Sequence, residues 1–189
     1  MSCSVAVVMA GGAGSRLGYA IKPALELCGK PIVTYVAETC AQLCKHVVLL
    51  VSWRTRGAMR SVCSSSPLLD CVETSGYGYS EDLGFALKFI RERPLLVVPS
   101  DTPFVSRESL EFLLSLALEE CDQSVATLSV ECRDFIGISV FRADNGGWCT
   151  ICIPRSIEFL NVNTSRDLEL ARGICSEDPW RGSRRLSRL

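Results

Sequence analysis

The 189-residue chain holds a single histidine, His46, and carries a net charge of only −1. One histidine leaves no evident pairing of an imidazole base with a serine or cysteine nucleophile, so covalent catalysis of that kind is not indicated. The near-zero charge excludes any general attraction to nucleic acid or to an anionic membrane, and an anion site must therefore be local. No apolar run approaches the roughly 20 residues that span a bilayer. The start, MSCSVAVVMAGG, is too short and too rich in glycine for a signal peptide. These absences predict a soluble, cytoplasmic protein with no nucleic acid partner and no membrane span.

Cysteine, in contrast, is abundant. The eleven lie at 3, 28, 40, 44, 63, 71, 121, 132, 149, 152 and 175, giving one CxxC (Cys149, Cys152) and one pair four residues apart (Cys40, Cys44). A structural zinc site takes four ligands, usually two such pairs, and His46 has no matching pair nearby. The cysteines are read as small buried hydrophobes. Internal disulfides are the alternative if the source is a hyperthermophile.

Apolar residues make up 48% of the chain, enough for one substantial core, while the length is too short for two comfortable domains. Residues 1–175 are read as that domain. The remainder, 176–189, has four arginines in its last nine residues and no apolar period, so it is read as a flexible, solvated basic tail. Within the domain, SVAVVMA (4–10), HVVLLVS (46–52), LLDCVE (68–73) and PLLVVPS (94–100) are continuous apolar runs, as in strands covered on both faces. They alternate with segments of helical period at 31–45, 54–63 and 80–93, which predicts an α/β Rossmann-like three-layer sandwich with a mostly parallel sheet. A helix over 106–120 follows. Then 124–131 and 135–143 predict an antiparallel pair at the sheet edge, residues 149–163 read as irregular or short extended pieces, and 164–175 forms a last helix with Thr164 and Asp167 at capping-box spacing.

In such a sheet, ligands bind beyond the carboxyl ends of the strands. Four polar or glycine-rich segments fall there: AGGAGSRLG after the first run, TSGYGYSED after the third, PSDTPF after the fourth, and NVNTSRD before the last helix. The first loop fits neither the GxGxxG dinucleotide fingerprint nor the GxxxxGK[ST] phosphate loop. It is a longer run of small residues, Ala10, Gly11, Gly12 and Gly14, whose backbone N–H groups can approach an anion, with Arg16 and Lys22 adding two charges. That suits a triphosphate; a plain tight turn with solvated charges is the alternative. Asp101 can ligate Mg²⁺ or cap the turn before Pro103, and Asn163 can offer a second oxygen or start the last helix. Gly76 and Gly78 allow close backbone approach, and Asp82 can accept from the N1–H and N2–H of guanine or complement a helix dipole.

The combination AVVMAGGAGSRLG with KPALELCGKPIVTYV, TSGYGYSEDL, LLVVPSD, FIGISVF and NVNTSRDLELA resembles the nucleotidyltransferase superfamily with a Rossmann-like catalytic domain, and within it the archaeal GTP:adenosylcobinamide-phosphate guanylyltransferases. The segments run from residue 5 to about 172 in the family's order. The resemblance implies a guanylyltransferase that moves GMP from GTP to a phosphorylated corrinoid, with Mg²⁺ as cofactor. It implies that Gly11, Gly12, Gly14 and Arg16 hold the GTP phosphates with Lys22 closing on them, that Thr74, Ser75, Gly76, Gly78 and Asp82 line the guanosine pocket, and that Asp101 and Asn163 hold Mg²⁺. Gly137 and Asn163 are implied to support the acceptor side. PSDTPF is closer to the molybdenum-cofactor branch, which keeps that acceptor and sugar phosphates open, as well as a non-catalytic nucleotide sensor. A homodimer is compatible with these readings.

Overall fold

The computed structural model describes residues 3–12, 14, 18 and 21–177. Arg16 and the tail from residue 178 onward lie outside the described residues. In chain order the elements are β1 (Cys3–Met9), a 3₁₀ turn at Lys22–Ala24, the hairpin strands β2 (Glu26–Leu27) and β3 (Lys30–Pro31), α1 (Ile32–Leu43), β4 (Cys44–Ser52), α2 (Arg56–Cys63), β5 (Leu69–Thr74), α3 (Tyr79–Phe89) and β6 (Leu95–Pro99). There follow α4 (Arg107–Glu119), β7 (Val125–Val130), β8 (Asp134–Phe141), β9 (Trp148–Ile153), a 3₁₀ turn at Ile157–Phe159 and α5 (Ser165–Glu177).

Seven strands form one sheet in the order β5-β4-β1-β6-β8-β7-β9, and β5, β4, β1 and β6 are mutually parallel. Alternate residues of β1 serve opposite faces. Ala6 and Val8 join Leu49, Val51, Leu96 and Val98 beneath α1, α2 and α4, whereas Val5, Val7 and Met9 join Leu50, Leu95 and Val97 beneath Leu83 and Ala86 of α3. Helices on both faces explain why the strand reads as an unbroken apolar run. Leu110, Leu113, Leu114 and Ala117 give α4 its buried stripe, and Ser106 caps it by accepting from the Ser109 N–H at 3.1 Å. A third apolar cluster, Leu27, Ile32, Val162, Leu168 and Ala171, joins the β2–β3 hairpin to α5.

Two expectations are corrected. The antiparallel pair forms, but β8 lies inside the sheet, antiparallel to β6, and β7 follows it. The edge on that side belongs to β9, parallel to β7, one longer strand in the stretch expected to hold irregular or short extended pieces. Its Cys149, Ile151 and Ile153 pack against the main cluster while Trp148, Thr150 and Cys152 are exposed, the period of a half-buried edge strand.

The second correction concerns cysteine. Ten of the eleven pair: Cys3 with Cys44, Cys28 with Cys175, Cys63 with Cys71, Cys121 with Cys149 and Cys132 with Cys152. Their Cα separations, from 4.6 to 6.2 Å, lie in the range a disulfide spans. Sequence separations from 8 to 147 residues leave no local spacing by which the partners could be read. Cys40 alone is free, and burial pushes its thiol up to about 12.

Alkylation without reductant should therefore label no thiol in the native protein and one, Cys40, after denaturation, as counted by mass spectrometry. Replacing Cys28 and Cys175 together by serine removes the link that closes the longest loop, and should cost about 2–4 kcal/mol in denaturant titrations.

Candidate functional site

Because β4, β5 and β6 run parallel to β1, the segments leaving all four strands emerge at one end of the sheet. At the end of β1, the Ala10 N–H donates to the Leu50 carbonyl at 2.9 Å and the Gly11 carbonyl accepts from Ser52 Oγ at 3.0 Å. A Cβ on Gly11 would lie 3.2 Å from Asp82 Oδ2. Gly12 has open space where a Cβ would stand, and Gly14 has φ of 60°, a left-handed conformation that suits glycine.

The segment after β5 folds over Ser52. Thr74 donates from its hydroxyl to the Val51 carbonyl at 3.2 Å. The buried Asp82, in the first turn of α3, accepts at Oδ1 from Ser75 Oγ (3.1 Å) and from the Gly76 N–H (2.9 Å). The same carboxylate therefore shapes the loop that precedes its own helix. Gly76 combines φ of 69° with a position at which a Cβ would come within 2.6 Å of Ser52 Cβ, so neither the conformation nor the space admits a side chain. Gly78 is the N-cap of α3, and its carbonyl accepts from the Asp82 N–H at 3.0 Å.

The charged centre lies at the end of β6. Lys22 Nζ donates to Asp101 Oδ2 and, at 2.6 Å, to Asn163 Oδ1. These partners stand 79 and 141 residues away in the chain. The pair is largely withdrawn from solvent, with side chains only 15% and 13% exposed for Lys22 and Asp101. Burial raises the Asp101 carboxyl above its ordinary value, opposed by the charge and hydrogen bond of Lys22. The Asn161 side-chain amide lies against the same carboxylate, one of its terminal atoms 2.8 and 3.1 Å from the two oxygens. The Val162 N–H donates to the Asp101 carbonyl at 2.9 Å, which ties the strand before α5 to the end of β6.

The capping box at the start of α5 forms with Asp in place of Glu. Asp167 Oδ2 accepts from the N–H groups of Asn163 (3.0 Å) and Thr164 (2.8 Å), and Thr164 Oγ1 accepts from the Asp167 N–H at 3.2 Å. Burial raises the Asp167 carboxyl, but the hydrogen bonds from Thr164 and Asn163 outweigh it and leave the group below its ordinary value. Asn163 is thereby held at the backbone while its side-chain oxygen faces Lys22.

Tyr79 connects the two corners. Its hydroxyl donates to the Gly137 carbonyl at 3.1 Å, and burial, with the Asp101 charge second, pushes the phenol up to about 12. Gly137 has φ of 82°, a left-handed conformation that suits glycine, while a Cβ there would make only ordinary contact with the Pro99 ring at 3.6 Å.

The structure thus brings Lys22, Asp101 and Asn163 into direct contact, gathers Gly11, Ser75, Gly76 and Asp82 around Ser52, and places Gly137 beneath Tyr79. Ser52, Tyr79 and Asn161 escaped the sequence reading, although Tyr79 stands inside the singled-out TSGYGYSED and Asn161 two residues before Asn163. Among the described residues no three His, Cys, Asp or Glu side chains gather as a metal cage. No helix of the described residues is long and apolar enough to cross a membrane.

The chain is similar to the adenosylcobinamide-phosphate guanylyltransferase of Methanocaldococcus jannaschii, with 24% identity across 92% of this chain and 98% of that protein. The bifunctional protein GlmU of Bacillus cytotoxicus shows 27% identity over 77% of this chain, which spans about a third (32%) of that protein. The 4-diphosphocytidyl-2C-methyl-D-erythritol synthase of Anaerococcus prevotii has the same fold at 11% identity, with a TM-score of 0.72 over 93% of this chain and 99% of that one. Residues 6–144, which carry most of β1, the glycine loop, Lys22, the Thr74–Gly78 loop and Asp101, match the MobA-like NTP transferase domain, and the chain belongs to that family.

Proposed function

We propose that this nucleotidyltransferase moves GMP from GTP to the phosphate of adenosylcobinamide phosphate and releases pyrophosphate. The observation that carries the reading is the meeting of Lys22, Asp101 and Asn163 beside the glycine loop. The similarity to a guanylyltransferase of this type along 92% of the chain supports the choice of substrates.

The backbone of Ala10, Gly11, Gly12 and Gly14, with Arg16 and Lys22, holds the triphosphate. Thr74, Ser75, Gly76, Gly78 and Asp82 form the guanosine pocket. Gly137 and Asn163 support the acceptor side. Asp101 and Asn163 fit Mg²⁺: one anionic and one neutral oxygen already face a single cation, the Lys22 ammonium, and Mg²⁺ asks for one or two protein oxygens with phosphate and water completing its shell. When bound, the ion supplies charge neutralisation at the phosphates.

An oxygen of the acceptor phosphate attacks the α-phosphorus. The new P–O bond forms as the bond to the β-phosphate's bridging oxygen breaks, and pyrophosphate leaves with that electron pair. The nucleophile is already ionised at neutral pH, so no base need remove a proton, in keeping with the single histidine. The protein contributes alignment and cationic and N–H donors at the charge that develops on the α-phosphate and on the leaving pyrophosphate.

Pyrophosphate release, measured with each NTP and with adenosylcobinamide phosphate, molybdopterin or a sugar phosphate, tests the assignment; release only with molybdopterin or a sugar phosphate moves it to a sister enzyme. Tight GTP binding without release under any combination makes the chain a nucleotide sensor. Lys22→Ala should lower kcat/KM by about 10²–10³-fold, the scale for removing one donor from developing charge. Asp101→Asn should lose activity that excess Mg²⁺ partly restores, read from a Mg²⁺ titration of initial rates. Asp82→Ala frees the Ser75–Gly76 loop and should weaken the preference for GTP over ATP, read from the ratio of kcat/KM values.

A further inference from the structure

Lys22 stands between the two oxygens proposed above as metal ligands. Its Nζ lies within hydrogen-bond reach of both Asp101 Oδ2 and Asn163 Oδ1, the two oxygens assigned above to Mg²⁺. A divalent ion of this size takes oxygens at roughly 2.0–2.1 Å, so an ion bridging the same two atoms occupies the volume the ammonium now fills. Both side chains are mostly buried, and the carboxylate gives one negative charge, already matched by one lysine. A second cation added beside Lys22 would leave excess positive charge in a poorly solvated pocket. Asp101 thus has a charged partner of its own, the Lys22 ammonium, without metal.

We propose that Lys22 and the divalent cation are alternative occupants of the Asp101–Asn163 pair. Lys22 is its resident counter-ion until nucleotide arrives, then leaves for the phosphates as the metal takes its place. The lysine is a compact charge on a flexible four-carbon stem, suited to exchanging one anionic partner for another. Bare metal must displace it with no new partner for the ammonium, and so binds weakly. A triphosphate offers about four negative charges as that partner, so metal and nucleotide bind cooperatively, and the coupling passes through one side chain. The inference rests on the reading of Asp101 and Asn163 as metal ligands.

The test is a titration of the nucleotide-free, full-length protein with Mn²⁺, followed by calorimetry and by electron paramagnetic resonance of the free ion. Lys22→Gln, which removes the ammonium charge and shortens the side chain, should bind Mn²⁺ at least tenfold more tightly than the natural protein. An α,β-methylene GTP analogue should tighten Mn²⁺ binding strongly in the natural protein and much less in the variant. Equal or weaker Mn²⁺ binding by Lys22→Gln, with a thermal unfolding curve matching the natural protein's, overturns the exchange. If that variant fails to fold, amine acetylation of the natural protein read by mass spectrometry decides instead: Lys22 should be protected alone and become reactive as Mn²⁺ is added, and constant protection overturns the proposal. Asp101→Asn separates the two readings. Loss of Mn²⁺ binding in that variant upholds the metal pair whatever Lys22 does, whereas unchanged binding removes the metal pair and the exchange with it.

Discussion

The site depends on the place of β1 between two parallel neighbours. A strand hydrogen-bonded to β4 on one edge and β6 on the other, with apolar side chains on both faces, has no polar surface to offer until it ends. Its register then fixes where the polar groups begin. Met9 pairs with both Leu50 and Pro99, and Ser52 with Thr74, so the chain leaves the sheet at nearly one level on four strands. This is the switch point of an open α/β sheet, where crossovers run in opposite directions and a crevice remains between them. Lys22, Asp101, Ser52 and the Thr74–Gly78 loop owe their proximity to that register.

Within the crevice two corners have different physics. Around Asp82 the contacts are short-range and steric: a buried carboxylate gathers a hydroxyl and an N–H, and Gly76 fits against Ser52 because it has no side chain. Around Asp101 they are electrostatic, with a carboxylate, an ammonium and two asparagine amides withdrawn from water together. A buried carboxylate without a partner is costly, and Lys22 offsets that cost. On the function proposed for this member of the NTP transferase family, the first corner would select the base and the second would hold phosphate and metal.

The periphery supports the charged corner. Lys22 precedes the β2–β3 hairpin and Asn163 precedes α5, and these two units share an apolar cluster and the Cys28–Cys175 link. Asp167 fixes the backbone at Asn163 from the other side. The two oxygens that face Lys22 are therefore anchored through covalent, apolar and hydrogen-bonded contacts to elements far apart in sequence.

What the chain alone determined follows from local physics. Continuous apolar runs marked β1, β4 and β6, although the run at 68–73 became β5, an edge strand with Asp70, Val72 and Glu73 exposed rather than one covered on both faces; helical period marked the helices over the sheet, and the Thr164 and Asp167 spacing marked the start of α5, because each signal is complete within a few residues. Glycine at 11, 12, 14 and 76 and the polar ends of the runs located the crevice for the same reason. Strand order decided the rest. That β8 sits inside the sheet and β9 closes its edge, that ten cysteines find particular partners, and that Ser52, Tyr79 and Asn161 enter the site are outcomes of which strand lies beside which. Lys22 reads in the sequence as a phosphate ligand. Only the folded chain shows that its ammonium rests between two oxygens 79 and 141 residues away, since a contact across that distance is set by the sheet's register and by nothing near Lys22 itself.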